Sequence, residues 1–266
     1  MKSLKELVEE SRLQDLAVPL RKGETYQGRD RIDEILEFHW KGNGAWLRDS
    51  QDHDAIQFTY GEVTPFGVRQ MIHFFGLETL WEDDEEDSNI HREPIVFYDL
   101  GSGAGKLVIQ MFLENVTSIA IGVELCKPRH VMAVKAWEDL QGACGLSDED
   151  TICRIPLLEE AGQEKLVDKD RVQLWNQDIV DADFSNATHI YLSSLCFPID
   201  LADHVANIIM DNHRRHGKLK VVIALSALKP FETEENQQLW KKTIQLLHMT
   251  WGFSSAKVYT YVGPPS

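Results

Sequence analysis

The segment Asp99-Leu100-Gly101-Ser102-Gly103-Ala104-Gly105 is the part of the sequence best suited to hold a ligand. It follows the apolar run 95–98, which predicts a strand, and it precedes a helix predicted at 106–115. Glycines at such a junction let the backbone turn tightly and approach a ligand without a Cβ in the way. The amides at the start of the helix point toward the same place. The segment therefore predicts a binding turn between a strand and a helix.

The spacing of the glycines distinguishes between two classes of nucleotide. A dinucleotide site typically carries Gly-x-Gly-x-x-Gly, but this chain has Lys106 where that motif needs its last glycine, and its third glycine is Gly105. Asp99, directly before the turn, would repel a pyrophosphate, whereas it suits the amino group of a methionine moiety. The pattern favours S-adenosylmethionine over NAD as the cofactor.

Two further acids follow the next two predicted strands. Glu124 ends the strand predicted at 119–123, where an acid can bind both hydroxyls of a ribose. Asp178 follows the strand predicted at 172–175, where a carboxylate can accept a hydrogen bond from the exocyclic amine of adenine. Each acid alone could be an ordinary cap or turn residue. In order at successive strand ends, they predict that Asp99, Glu124 and Asp178 bind the three parts of one sulfonium nucleotide.

Strands and helices alternate along most of the chain. Strands are predicted at 95–98, 119–123, 172–175, 189–192, 220–225 and 256–262, and helices at 66–75, 106–115, from the second strand through about 140, at 200–211 and at 236–247. This alternation predicts an α/β Rossmann-like fold, a mostly parallel sheet with helices on both faces. Residues 1–55 are predicted to form a helical N-terminal segment, and 56–266 the S-adenosylmethionine-binding domain.

The charge of the chain restricts its partners. A formal net charge of −16 argues against a broad nucleic-acid surface, because such a surface must attract phosphates, and it fits a basic protein partner better. Some of the acidic residues are consecutive, at 82–87. This run is either a solvent-exposed loop or a surface that recognises a partner.

The composition also gives expectations about metal binding and the cellular compartment. The four cysteines show no paired spacing, which argues against a zinc site, and no metal is predicted. No run approaches the length of a membrane span, and the first residues lack an apolar signal region. We expect an intracellular protein of the nucleus or cytoplasm without a membrane partner.

Two motifs resemble those of class I methyltransferases, and of the Dot-one-like histone-lysine methyltransferases in particular. One is Tyr60-Gly61-Glu62-Val63-Thr64-Pro65-Phe66, similar to the Tyr-Gly-Glu loop that precedes the core in that family. The other is the glycine turn followed by Gly122-Val123-Glu124-Leu125, which many methyltransferases share. The likeness covers roughly 56–262. It implies a class I methyltransferase fold and a protein-lysine methyltransferase that acts on histone or another basic protein.

The resemblance also assigns cofactor residues. Thr64 and its loop would cover the cofactor, and Lys106 occupies a place where the family typically carries Gln. The complete predicted cofactor-binding set is Glu62, Thr64, Asp99, Gly101, Ser102, Gly103, Gly105, Lys106, Glu124, Leu125, Asp178 and Ile179.

The acceptor side departs from the family. After the fourth strand the family carries Asn-Asn-Phe-Ala-Phe, whose first Asn helps to shape the lysine channel, whereas this chain reads Ser193-Ser194-Leu195-Cys196-Phe197. Either serine could accept a hydrogen bond from an incoming amine. Candidates for the channel walls, with core packing as the alternative, are Tyr60, Leu195, Phe197 and Trp251. The predicted catalytic set is Tyr60, Ser193, Ser194 and Phe197. A small-molecule methyltransferase and an inactive cofactor-binding subunit stay open as alternatives.

Overall fold

The computed structural model describes residues 32–33, 36, 62–77, 93–114, 116–143, 152–154 and 166–264. Of the predicted N-terminal segment, residues 32, 33 and 36 fall within these ranges, and all three are helical. Tyr60 and the acidic run 82–87 lie outside the described residues.

Besides the helical residues 32, 33 and 36, the described ranges contain nine strands and five α-helices. The strands are β1 Val96–Leu100, β2 Ile119–Glu124, β3 Ile152–Arg154, β4 Leu166–Asp168, β5 Val172–Asn176, β6 His189–Leu192, β7 Val221–Ala224, β8 Trp240–Met249 and β9 Gly252–Tyr261. The α-helices are α1 Pro65–Phe75, α2 Lys106–Leu113, α3 Lys127–Ala143, α4 Ile199–His216 and α5 Glu234–Gln237. Short 3-10 helices span Lys169–Arg171, Ser194–Cys196 and Lys229–Glu232.

Seven strands form one sheet in the order β5-β2-β1-β6-β7-β9-β8. The first five of these are parallel, and β9 runs antiparallel to both of its neighbours. The predicted Rossmann-like fold is thus confirmed. From β1 the chain builds β2 and β5 on one side and then returns to β6 on the other side. Ligands of open α/β sheets bind at the carboxyl ends of the strands, where the strand order reverses in this way.

The central strand β1 is buried on both faces, as is typical of parallel sheets covered by helices. Phe97 packs in the core shared with α1, α2 and α3. Val96, Tyr98 and Leu100 point the other way, into the core that includes α4. This two-sided burial explains why the strand reads as a continuous apolar run, and it fixes the direction in which the residue between Tyr98 and Leu100 points.

The described part of the N-terminal segment is attached to the domain through α1. Arg69 on α1 forms ion pairs with Asp33 and with Glu114, each at 2.8 Å. Leu36 is fully buried in the core on the same side of the sheet. These described residues are therefore part of the packing around α1.

The helix predicted at 236–247 is wrong, because α5 ends at Gln237 and β8 begins at Trp240. Apolar residues at Trp240, Ile244 and Leu247 have helical spacing, which is why the sequence indicated a helix. In the structure β8 pairs with β9 along its whole length, and this pairing overrides the local pattern. The predicted last strand is also longer than expected, since it begins at Gly252, whose φ of 117° permits the hairpin turn.

Candidate functional site

The glycine turn after β1 has the conformation that its sequence demands. Gly101, Gly103 and Gly105 have φ values of 90°, 55° and 75°, which disfavour any side chain. The amides of Gly101 and Ser102 donate to the carbonyl of Val123 at 2.9 and 3.0 Å. The turn is thereby fixed to the carboxyl end of β2.

Two glycines are also required by close packing around this turn. A Cβ on Gly105 would lie 2.9 Å from the Cβ of Ala133 on α3. A Cβ on Gly122, in β2, would lie 2.7 Å from the hydroxyl oxygen of Ser102. The glycine of the Gly-Val-Glu motif therefore makes room for the turn.

A cavity of about 340 Å³ opens at this edge of the sheet, beside the point where the strand order reverses. The residues that line it are Glu62, Val63, Asp99, Gly101, Ser102, Gly103, Lys106, Leu107, Glu124, Leu125, Arg129, Asp178, Ile179, Val180, Tyr191, Ser193, Phe197 and Leu201. Most of the predicted cofactor residues thus share one cavity with part of the predicted acceptor site.

Asp99 is the most deeply buried acid of the cavity wall. Its Oδ1 has no hydrogen-bond partner, which is unusual for a buried carboxylate oxygen. Burial raises the pKa of Asp99 well above its usual range, and the nearby charge of Glu124 raises this pKa further. A cation bound beside Asp99 would relieve both effects.

Glu124 is buried at the end of β2 and binds the backbone on two sides. Its Oε2 accepts a hydrogen bond from the amide of Gly103 at 2.8 Å, and its Oε1 accepts one from the amide of Cys126 at 2.7 Å. Each carboxylate oxygen has a second lone pair, so the group can still accept hydroxyl donors from a ligand.

Asp178 lies just past the end of β5 and also borders the cavity. Its Oδ1 accepts a hydrogen bond from the amide of Val180 at 3.1 Å, which closes a short turn. The next residue, Ile179, is buried and gives this wall an apolar surface. The three predicted acids therefore occupy the ends of β1, β2 and β5 in the expected order.

Lys106 and Glu62 face each other in the cavity wall. The Nζ of Lys106 lies 3.7 Å from the Oε2 of Glu62, and both side chains are about four-fifths buried. The ion pair links the first residue of α2 to the loop that precedes α1. The position that carries Gln in the resembling family is thus used here for a charged contact with the Tyr-Gly-Glu loop.

Thr64 and Gly105 do not line the cavity. The hydroxyl of Thr64 caps α1 through the amide of Gly67 and contacts Nδ1 of His248 at 2.7 Å. Thr64 therefore anchors the loop to α1 and β8, and its predicted contact with the cofactor stays a prediction. Gly105 serves as the N-cap of α2.

The structure separates the two predicted acceptor serines. Ser193 borders the cavity, as does Phe197. Ser194 is buried away from it, where its hydroxyl accepts from the amide of Ser226 at 3.0 Å and from the Ser226 hydroxyl at 2.6 Å. Leu195 and Trp251 are each about half exposed and do not line the cavity either.

Several lining residues escaped the sequence prediction, namely Val63, Leu107, Arg129, Val180, Tyr191 and Leu201. Most of them are apolar or lie inside a helix, where no pattern marks them as functional. Tyr191 lies in an apolar strand, and only the pairing of this strand with β1 places it beside Asp99.

No group of three or more His, Cys, Asp or Glu side chains in the described ranges could hold a metal ion. Among the helices of those ranges, none combines the length and the apolar character that a membrane crossing requires.

The family of the chain follows from a match that covers most of its length. The family model described as "Histone methylation protein DOT1" matches residues 54–251. The chain belongs to the DOT1 family. It is an S-adenosylmethionine-dependent methyltransferase, which confirms the predicted family and cofactor.

The DOT1-family cavity fits this cofactor in its chemistry. A buried carboxylate oxygen of Asp99 lacks a partner and suits an ammonium group. The left-handed turn at Gly101 leaves the backbone open to close approach. The division of the cofactor among Asp99, Glu124 and Asp178 stays a prediction.

Solved structures offer distant likenesses to this DOT1-family chain. TrmK of M. capricolum, in complex with S-adenosyl-homocysteine, is 12% identical with a TM-score of 0.40, over 65% of this chain and 64% of that one. A "putative tRNA (m1A22) methyltransferase" of Streptococcus pneumoniae is 15% identical with a TM-score of 0.42, over 68% of each chain. A "putative RNA methyltransferase" of Pyrococcus horikoshii is 11% identical with a TM-score of 0.47, over 88% of this chain and 98% of that one. The chain spans about two thirds of the length of the first two. No curated protein sequence matches it.

Proposed function

We propose that this DOT1-family methyltransferase modifies the side-chain amine of lysine on a histone or another basic protein. The observation that carries the proposal is that one cavity contains both Asp99 and Glu124, at the ends of β1 and β2, and Ser193 and Phe197, after β6. The cofactor end and the acceptor end of a transfer reaction would then share a single cavity.

The chemistry requires a neutral amine held in line with a methyl group. When bound, S-adenosylmethionine supplies an electrophilic methyl on a sulfonium. The ring of Phe197 and the side chain of Leu201 make the wall beside Ser193 apolar, and such surroundings lower the pKa of a lysine by desolvating its charged form. The hydroxyl of Ser193 can accept a hydrogen bond from the amine and so orient its lone pair.

The charge of the chain supports a basic substrate. A net charge of −16 would attract a lysine-rich protein and repel the phosphates of a nucleic acid. A free histone is the substrate class that agrees with both this charge and the family.

The test is a labelling experiment with methyl-labelled cofactor and separate pools of histones, nucleosomes, whole-cell protein, RNA and small metabolites. We expect label in lysine of a basic protein, confirmed by mass spectrometry. Asp99→Asn should abolish the labelling, whereas Asp181→Asn, an exposed acid that does not line the cavity, should leave it intact. Label confined to RNA would contradict the proposal. Label confined to metabolites would instead support a small-molecule methyltransferase, which the short side chain of Ser193 in the cavity wall also favours.

A further inference from the structure

The hydroxyl of Tyr191 is a buried polar group that belongs neither to the predicted cofactor residues nor to the predicted acceptor residues. Tyr191 is 2% exposed, lines the cavity, and its hydroxyl makes no hydrogen bond of good geometry. Buried polar groups in folded proteins are nearly always paired, so an exception at a binding site requires an explanation. Of the buried unpartnered side-chain atoms in the described ranges, those on residues that line this cavity are Asp99 Oδ1 and Tyr191 Oη.

These two groups are neighbours because β1 and β6 pair in the sheet. Asp99 on β1 is the register partner of Tyr191 on β6, and partners on parallel strands project to the same face. Burial raises the pKa of Tyr191, and the charge of Asp99 raises this pKa further. The phenol therefore stays protonated and remains a hydrogen-bond donor beside an acceptor.

A hydrogen-bond donor next to a buried carboxylate suits a ligand that carries a carboxylate and an ammonium group side by side. The carboxylate of Asp99 suits an ammonium, and a phenol hydroxyl suits a carboxylate. An α-amino acid carries both groups on a single carbon, so its two charges can meet two adjacent side chains. We propose that the Tyr191 hydroxyl is a further binding group for the amino-acid end of S-adenosylmethionine, donating a hydrogen bond to its carboxylate. This inference rests on the cofactor site and is independent of which acceptor is methylated.

A competing explanation for the Tyr191 hydroxyl is that it supports Ser193 and does not bind the cofactor. Ser193 lies close enough to Tyr191 to lower the pKa of the phenol, against the larger effect of burial. If the phenol only supported Ser193, its removal would act through the acceptor side and would leave affinity for the cofactor unchanged.

The experiment measures binding by calorimetry with two ligands, S-adenosylhomocysteine and 5′-methylthioadenosine, which lacks the amino-acid end. Tyr191→Phe should weaken binding of S-adenosylhomocysteine by about tenfold or more, since a hydrogen bond to a charged group is lost. Binding of 5′-methylthioadenosine should stay the same. The melting temperature of the unliganded variant should not fall, because the hydroxyl has no hydrogen bond of good geometry to lose.

Two variants serve as controls. Tyr98→Phe removes a buried phenol on β1 that bonds the side chain of Asn186 at 2.8 Å on the opposite face, so it should lower stability and leave both affinities unchanged. Ser193→Ala should leave both affinities unchanged as well. The proposal is overturned if Tyr191→Phe changes the two affinities equally or not at all, if it lowers the unliganded melting temperature, or if Ser193→Ala reproduces its effect. If the wild-type protein bound S-adenosylhomocysteine but methylated no protein, the lysine proposal would be contradicted and the proposal for Tyr191 would not be affected.

Discussion

The Oε2 of Glu124 accepts a hydrogen bond from the amide of Gly103, so the acid at the end of β2 holds the tip of the glycine turn after β1. Its second oxygen holds the amide of Cys126, at the approach to α3. One carboxylate therefore joins two segments of the cavity wall, and its predicted role toward the ribose depends on the same geometry.

Replacement of Glu124 by Gln should affect folding and binding together. An amide can keep one of the two backbone bonds but loses their charge, and we expect the free energy of unfolding to fall by about 1–3 kcal/mol. Affinity for S-adenosylhomocysteine should fall by about tenfold or more, since 1.4 kcal/mol corresponds to a factor of ten. Denaturant unfolding and calorimetry measure the two effects. Glu138→Gln, at an exposed position of α3, should change neither, and an unaltered unfolding curve for Glu124→Gln would contradict the bridging role.

Asp99 should make the stability of the unliganded protein depend on pH. The pKa of Asp99 is raised in the folded state, so folding favours the protonated carboxyl. The contribution of this group to the free energy of unfolding is therefore present at low pH and is lost as the pH rises through the raised pKa. The wild type should therefore become less stable with rising pH, and Asp99→Asn should lack this decline. Thermal unfolding of both proteins over a pH series measures it, and identical pH dependence would refute the assignment.

The same titration should appear in cofactor binding. A cationic amino group beside Asp99 favours its charged form, so binding of S-adenosylhomocysteine should release a proton and become tighter as the pH rises. Calorimetry in buffers of different ionisation enthalpy detects that proton. Binding without proton release across the pH range in which unliganded stability declines would argue against contact between the amino group and Asp99.

Gly105 should tolerate alanine less well than an unpacked glycine of similar backbone conformation. Gly105 and Gly217 have φ values of 75° and 66°, so both alanine variants carry a left-handed strain of about 1–2 kcal/mol. A Cβ at Gly105 also meets Ala133 at 2.9 Å, whereas nothing lies within 4 Å at Gly217. We expect Gly105→Ala to cost about 1–3 kcal/mol more than Gly217→Ala, from overpacking. Equal losses in denaturant unfolding would contradict this.

The two serines after β6 should separate stability from activity. Ser194→Ala leaves the partly buried amide of Ser226 without its partner and should lower the free energy of unfolding by about 1–3 kcal/mol. Ser193→Ala should alter stability by about 0.5 kcal/mol or less and reduce methyl transfer. Unfolding curves and rates of methyl labelling distinguish the two variants. A loss of stability in Ser193→Ala together with a loss of methyl transfer alone in Ser194→Ala would contradict these roles.

The sequence could predict that the three acids share one cavity, because the carboxyl ends of parallel strands meet at one edge of the sheet. Asp99, Glu124 and Asp178 needed only their positions at strand ends to be brought together. The roles of Ser194 and Thr64 were harder to predict, because their partners Ser226 and His248 are distant in the chain. No local pattern records such contacts.

The same limit explains the error in the C-terminal region. The spacing of Trp240, Ile244 and Leu247 fits a helix, and only the ten-residue pairing with β9 makes a strand there. Tyr191 was overlooked for a related reason, since a tyrosine inside an apolar strand resembles any core residue until its register against Asp99 is known.

The C-terminal hairpin also holds the loop at the mouth of the cavity. Val63 bridges to Met249, and the amide of Thr250 donates to the carbonyl of Glu62 at 2.9 Å. A segment synthesised before the glycine turn thus finds its docking place only after β8 has been made. During translation, the turn and its acids can form long before the wall that faces them, so a nascent chain lacking the hairpin would hold an incomplete pocket. The cavity that would hold the methyl donor is then completed only after β8 has left the ribosome.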